Sequence, residues 1–368
     1  MKISAQDCQN FDRALSLEWL ETNGRGGFAS GTIAGANTRR YHALLLTARK
    51  PPSERFVLVN HLEEWLDIDG QAIPLSTNVY PGTVYPTGYE HCTEFSSDPW
   101  PTWTFDCNGV TIQREILSIH GRDIVVVRWR LVGKKPTKAV LRVRPKLTGR
   151  DYHGTHHENG HLSTEAHAGS GMVMWHGYAD LPPVRAFHSG AYRHEPAWYR
   201  HIQFSVERQR GLDAEEDWWS PGEFTFELES GSTRTLALTS ERIDQLDLAG
   251  LAKREKSRRY TIRQAAPTDD SLAGQLWCAA DMYLSVRGAQ HTVIAGYPWF
   301  TDWGRDTFIS LPGLCLVTGQ LDVAWQVIAS FAVHVSAGMV PNRFPDVGEP
   351  PEYNTIDASL WFIHAIDR

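Results

Sequence analysis

The sequence predicts a multidomain β + α chain: a large antiparallel β-sandwich, then the first helices of a helical toroid. Three observations predict it. Short runs rich in Val, Ile, Thr and aromatic residues recur between Gly, Pro, Asn and Asp clusters through residues 1–240. From Asp270 the apolar period lengthens to that of a helix. Beyond that point, helical patterns alternate with loops in which aromatic and acidic residues concentrate. The expected division is 1–240 for the sandwich, 241–270 for a linker and 271–368 for the start of the toroid.

Within the first segment, YHALLLTA (41–48), WTFDCNGVTIQREILSI (103–119) and DIVVVRWRLVG (123–133) read as strands. Asn108-Gly109 is a two-residue hairpin signal. AVLRVRPKLTG (139–149) alternates, with Val140 and Val143 flanking charged positions, and HIQFSVERQRG (201–211) and FTFELESGSTRTLALTS (224–240) extend the pattern. Many strands at this spacing argue for a sandwich. The glycines of TNGRGGFASGTIAGANTRRYHALL (22–45) read as tight turns between strands. Asn-Gly-Arg-Gly-Gly also resembles a phosphate-cradling backbone nest, but it has neither dinucleotide nor P-loop spacing. The polar stretch 151–170 carries His153, His156, His157 and His161. No pair has a helix to carry it except His153 and His157, which a nearby Gly weakens, so the expectation is a surface loop and no metal.

In the linker, LAKREKSRRYTIRQ is basic and polar; its first half suits a helix on the sandwich, and the charges suit a solvated face. Next, Asp269 and Asp270 signal a helix start, with Leu272, Leu276, Ala279 and Tyr283 on one stripe. A helix is expected near 305–318, kinked by Pro312 and closed by Gly319. Asp322 can cap another to about Ala337, with Val327, Ile328, Phe331 and Val335 apolar. DASLWFIHAIDR starts a helix that is apolar nearly all round and so expects burial.

The 368 residues, 42% hydrophobic and 21% charged, have an ordinary globular composition. A net charge of −7 argues against nucleic acid and anionic membrane partners and suits a neutral polymer. Fourteen Trp suit large cores or sugar platforms. Cys8, Cys92, Cys107, Cys278 and Cys315 are scattered and odd in number, which fits reduced thiols in the cytoplasm. The start lacks a secretory signal pattern, and no run of roughly 18 apolar residues suggests a membrane span.

The chemistry concentrates in AGYPWFTDWGRDTFISL (295–311). Aromatic faces stack on sugar rings, and Asp and Arg make paired hydrogen bonds to vicinal hydroxyls, so this reads first as a carbohydrate site. Glycosidic cleavage needs two carboxyl groups. Asp302, Asp306 and Asp357 are candidates, with Glu349 and Glu352 as outsiders. Asp357 reads either as a helix N-cap or as a general acid. A helix N-terminus lowers a carboxyl pKa, whereas a general acid needs it raised, so Tyr353, Trp361 and bound sugar would have to desolvate it. Arg305 and Asp306 read either as a cap with a surface ion pair or as sugar ligands, with Trp299, Phe300 and Trp303 gathered around them.

Four segments together resemble the bacterial and archaeal glycogen debranching enzymes, the amylo-α-1,6-glucosidase family. They are LEWLETNGRGGFASGTIAGANTRRYHALL (17–45), YRHIQFSVERQRGLDAEEDWWSPGEF (199–224), VIAGYPWFTDWGRDTFISLPGL (293–314) and EYNTIDASLWF (352–362). The resemblance implies a sandwich followed by an (α/α)6 barrel, and inverting hydrolysis of the α-1,6-linked glucose left at a trimmed branch point. It implies that Arg305 and Asp306 hold hydroxyls of the terminal glucose, that Trp303 walls the subsite and that Asp357 is the general acid. Trp299 and Tyr353 complete the expected substrate-binding set.

Such a barrel has twelve helices, and this sequence supplies about four, ending inside a helical pattern. The expectation is therefore a truncated barrel, a general base beyond residue 368 and uncovered apolar faces that aggregate or demand a second chain completing the barrel. The expected partner is glycogen or another branched α-glucan, with no cofactor. Two rivals stay open: a glucan-binding protein that cleaves nothing, and another α-glucosidase, α-1,4-specific or trehalase-like, on the same fold.

Overall fold

The computed structural model describes residues 2–133, 138–268, 270–345 and 350–368. Among them, two large antiparallel sheets stack face to face. The first runs Lys2–Ser4, Cys92–Ser96, Thr102–Cys107, Val110–Ser118, Ile124–Val132, Thr233–Thr239, Val184–His188, Met172–Trp175 and Ala166–Gly169. The second runs Ala191–Gln203, Glu215–Glu229, Lys138–Asp151, Ser53–Ile68, Ala43–Lys50, Phe28–Thr32 and Glu18–Thr22, with Gln71–Pro74 added beside Ser53–Ile68.

Period-two burial sets the faces. Ala139, Leu141 and Val143 are buried toward the core, while Val140 lies on the opposite face and is not a core partner of Val143. Trp103, Ile112 and Trp129 of the first sheet meet Leu66, Leu141 and Phe226 of the second. The Trp129 and Phe226 rings are 5.4 Å apart. Buried Glu64 accepts from Arg114 at 2.6 Å and from the Trp129 indole at 2.8 Å, so its charge is paired and its oxygens are satisfied. Asn108 and Gly109 have φ of 55° and 83° between paired Cys107 and Val110, the two-residue hairpin the sequence announces.

Three short helices correct the all-β expectation for residues 1–240: α1 (Ala5–Gln9), α2 (Phe11–Ser16) and α3 (Ser205–Gln209). Asn10 caps α2 by accepting from the Arg13 N–H at 3.0 Å. In HIQFSVERQRG the strand stops at Gln203, because Ile202 and Phe204 are both buried with Trp218 and the chain turns into α3. The glycine-rich stretch at 23–27 is a tight turn, with Gly24 and Gly26 at φ of 69° and 85° and the Arg25 N–H donating to Asn23 Oδ1 at 2.8 Å. The expected His-rich surface loop is partly core: His156 is buried, with Nε2 2.6 Å from the Tyr178 hydroxyl and Nδ1 3.0 Å from the Asp217 carbonyl. Among the described residues, no group of three or more His, Cys, Asp or Glu is placed to hold a metal.

Helix α4 (Leu248–Gln264) lies on the sandwich, burying Leu251 and Ala252 with Trp100, Leu117 and Ile119. Its basic run is solvated only in part: Lys253, Arg254 and Lys256 are exposed, while three arginines are engaged. Arg259 pairs with Glu21 at 2.6 Å, Arg263 with Asp98 at 2.8 Å and Arg258 with Asp281 at 2.7 Å. These ion pairs tie α4 to the sandwich and to α5 (Ser271–Tyr283). Asp270 caps α5 through the Leu272 N–H at 2.9 Å; Asp269 lies outside the described residues. A hairpin, Leu284–Arg287 with Gln290–Val293, follows where no strand was expected.

Helix α6 (Gly304–Leu311) passes into a π turn at Pro312–Leu316, and Gly319 at φ 73° closes it. Pro312 has no N–H to continue the helical ladder. Helix α7 (Leu321–Ala332) ends five residues short of Ala337, because Ser336 and Met339 form a tight turn with Ala337 and Gly338 at positive φ. Asp322 sits in its first turn rather than at the cap. Helix α8 (Asp357–Asp367) packs one face on α6, with Phe362 4.9 Å from Phe308. The expected burial of α8 is corrected: Leu360, Ile363 and Ile366 are 61%, 63% and 54% exposed. The α5 stripe is open as well, with Leu272 at 59% and Leu276 at 57%. All five cysteines are free thiols. Among the described residues, no helix is long and apolar enough to cross a membrane.

Lys146 is fully buried, its Nζ 2.7 Å from the centre of the Tyr199 ring and 3.6 Å from Glu63. Burial pulls its pKa down to about 7. An unfolded lysine titrates near ~10.4, so between those values the unfolded chain binds the extra proton and stability rises with pH. Lys146→Met is expected to raise stability at pH 6 and to flatten that rise, as read by urea unfolding at pH 6 and pH 9.

Candidate functional site

Three segments converge where α6 and α8 begin. Arg343 is bridged to Trp303 on one side and to Glu352 on the other. The Glu352 N–H donates to the Arg343 carbonyl at 2.9 Å, and the Gly304 N–H donates to the Asn342 carbonyl at 2.8 Å. The Arg343 and Glu352 side chains pair at 2.8 Å. Trp303 cannot cap α6 with its side chain. Buried Asn342 does so instead, accepting from the Arg305 N–H at 3.1 Å and donating to Asn354 Oδ1 at 3.0 Å. A Cβ on Gly304 would stand 2.3 Å from the Pro341 carbonyl oxygen, so only glycine allows this approach.

On this frame Arg305 pairs with Asp357: Nη2 donates to Oδ1 at 3.0 Å, and Nε lies 2.8 Å from Oδ2 as an ion-pair contact. Both side chains stay partly open to solvent. The Arg305 guanidinium holds the Asp357 carboxyl below the ordinary aspartate range, and the pairing raises Arg305 in turn. The N-cap of α8 is Ile356, without a side-chain bond, so Asp357 does not fill the capping role its position suggests. The shielding expected from Tyr353 and Trp361 is absent. The Tyr353 hydroxyl donates to the His334 carbonyl at 2.6 Å, and Trp361 packs on His364 at 5.5 Å. Asp306 is exposed on the first turn of α6, and Arg305 pairs with Asp357 rather than with it.

Asp302, the other carboxylate of the motif, is fully buried, bonded to Arg287 twice at 2.5 Å and to the Thr292 hydroxyl at 2.9 Å. It anchors the loop to the hairpin and is closed to a ligand. Glu352 is engaged by Arg343, and Glu349 lies outside the described residues. The aromatic lead-in is pinned to the sandwich: Arg55 donates to the Phe300 carbonyl at 3.0 Å and the Tyr152 hydroxyl to the Trp299 carbonyl at 3.1 Å. Trp299 therefore sits at the sandwich face beside Tyr41, while Trp303 packs edge-on against Phe300 at 5.8 Å and lies under the Arg343 guanidinium at 5.7 Å.

Structure brings Arg305 and Asp357 together, places Trp303 with Trp299 and Arg343 along one cleft, and turns the Tyr353 hydroxyl to the His334 carbonyl. The chemistry available is exchange: a partly open guanidinium can trade its carboxylate for vicinal hydroxyls. Sequence reasoning missed Asn342, Arg343, Arg55 and Arg287. The one visible signal was Asn342-Arg343 in a loop, and its meaning depends on residues 37 positions upstream.

The family model for the glycogen debranching enzyme N terminal matches residues 17–235, and the amylo-alpha-1,6-glucosidase model matches 278–368. The glycogen debranching enzyme of Saccharomyces cerevisiae is 41% identical over 80 residues, 20% of this chain and 5% of that protein. A bacterial glucoamylase solved with acarbose is similar over 91% of this chain and 54% of its own, at 13% identity and a TM-score of 0.47. A heparan sulfate lyase from Pedobacter heparinus is similar over 47% and 23%, at 12% identity and a TM-score of 0.23. The chain thus spans a small part of the yeast relative and about half of the glucoamylase.

Arg305→Met is expected to let the Asp357 carboxyl climb back toward about 3.9. Carboxyl-carbon NMR titration reads this directly, and an unmoved titration would assign the low value to the helix end instead. Asn342→Ala is expected to cost roughly 1 kcal/mol of stability through loss of the α6 cap, measured by urea unfolding.

Proposed function

The chain belongs to the glycogen debranching enzyme family, and on that premise we propose that it acts in hydrolysis of the α-1,6-linked glucose at trimmed branch points of glycogen. The observation that carries this reading is the Arg305–Asp357 pair, partly open to solvent at the start of α6 and α8. Arg305 and Asp306 hold hydroxyls of the terminal glucose, Trp303 walls its ring, and Trp299 and Tyr353 contribute outer contacts. Asp357 is the general acid that protonates the glycosidic oxygen.

The low pKa of Asp357 then has a use. Glucose hydroxyls compete for Arg305 and draw the cation away, while the bound ring excludes water. Both changes raise the carboxyl, so protonation follows occupancy. Inversion needs a second carboxylate about 6.5–9.5 Å away across the sugar. Asp302 and Glu352 are tied up by Arg287 and Arg343, so the base is a carboxylate outside this set. Two carboxyl groups suffice for the reaction without a cofactor. The open stripes of α5 and α8 support a completed (α/α)6 toroid, with further helices from the same or a second polypeptide covering them. Five free thiols support a cytoplasmic location.

The ionised state of Asp357 also favours a second reading, in which this chain binds branched α-glucan without cleaving it. Both readings meet the same assay: glucose release from a limit dextrin carrying single α-1,6-linked glucose, with dextrin affinity measured alongside. Asp357→Asn is expected to cut release by at least about 100-fold and to leave affinity within about twofold. Equal release from both proteins removes Asp357 as the acid. Dextrin binding without release by the unaltered chain selects the second reading. Trp303→Ala is expected to weaken glucose binding by about tenfold, as an indole wall is lost.

A further inference from the structure

A cleft of about 430 Å³ opens between the sandwich and the aromatic loop. Tyr41, His153 and Arg210 line it from the sandwich, and Trp299, Trp303 and Arg343 line it from the loops. We propose that this cleft binds the linear α-1,4-glucan segment that carries the branch, so that the sandwich itself reads the main chain. The proposal rests on the debranching reading above and adds to it a second subsite built largely from residues outside the glucosidase segment.

Size, chemistry and position carry the inference. The volume falls within the range of about 300–1,000 Å³ usual for small-ligand sites. Among the described residues the lining is aromatic rings with neutral or cationic donors and holds no carboxylate, which suits a neutral polyol. The walls are preset. Arg55 and Tyr152 fix the Phe300 and Trp299 carbonyls, Tyr41 meets Trp299 edge-on at 6.4 Å, and the Tyr41 hydroxyl lies 3.1 Å from His153 Nδ1. Arg210 is exposed on the end of α3, tethered loosely to Glu207 at 3.2 Å.

Position then selects the ligand segment. Trp303 lines the cleft, with the Arg343 guanidinium 5.7 Å from its ring centre, and only Gly304 separates it in the chain from Arg305. A terminal glucose held by Arg305 lies on one side of Trp303. Its C1 is joined to the O6 of the residue that bears it, and at a trimmed branch point that residue belongs to the α-1,4 chain, which continues past the indole.

The test is calorimetric titration of the whole chain with maltotetraose and, separately, with glucose, repeated with Arg210→Ala and His153→Ala. Both positions are exposed, so the fold should survive. Maltotetraose affinity should fall about fivefold in either variant, the loss of one hydrogen bond, and the ratio of maltotetraose to glucose affinity should fall with it. Identical maltotetraose affinity in the unaltered chain and both variants overturns the cleft. Binding of glucose but not maltotetraose by the unaltered chain overturns the cleft and spares the debranching reading; binding of neither overturns both. Binding of inorganic phosphate that Arg210→Ala abolishes, with no binding of maltotetraose, makes the cleft an anion site and overturns the proposal.

Discussion

Arg55 is the constraint on which the rest of the arrangement depends. It is wholly buried, faces the rings of Phe28, Tyr152 and Tyr297 at 5.5–5.8 Å, and donates to the carbonyls of Pro52 and Phe300. A cation taken out of water is costly, and here π faces and carbonyl oxygens replace the lost hydration. Arg55 and two of the rings belong to the sandwich, while Tyr297 and Phe300 belong to the loop that leads to Trp303. Without that contact the aromatic loop would be an appendage of the helices, and no cleft would form against Tyr41 and His153.

The site is assembled in the same manner, from partners far apart in the chain. Asp302 is neutralised by Arg287, α6 is capped by Asn342, and Arg305 is met by Asp357 52 positions later. Each contact satisfies a group that the loop leaves unsatisfied by itself: a buried carboxylate, a helix-end N–H, a guanidinium. The consequence is a division of labour between two aspartates of similar look. Burial and two hydrogen bonds from Arg287 make Asp302 structural, whereas partial exposure leaves Asp357 free to change partners.

Much of the fold was legible because its signals are local. Asn108-Gly109 announces its hairpin through the φ it permits, Pro312 its break through a missing N–H, and Gly319 its stop through a left-handed turn. What failed was whatever tertiary contact decides. The start of α3 hinges on burial of Phe204 against Trp218, and the basic run of α4 becomes a clamp because acids from Glu21 to Asp281 come to meet it. The pattern of α5 was read as a stripe and that of α8 as apolar nearly all round and so buried, yet an apolar pattern states only that a surface seeks cover, and for these exposed residues the described chain supplies none. For the candidate site, the aromatic and charged residues were visible in sequence, but their pairing was not. Proximity in the chain joined Arg305 to Asp306, and the fold joined it to Asp357.

The Trp303–Arg343–Glu352 bridges have one more consequence, for tempo. They hold the backbones of three loops in fixed register, so admitting a ligand to Arg305 needs no loop to swing. What must move is a pair of side chains at a partly open surface, and exposed rotamers exchange in picoseconds to nanoseconds. Lids that close over their ligands work on microsecond to millisecond clocks. Among the described residues around Arg305, then, access waits on side chains and not on a swinging loop.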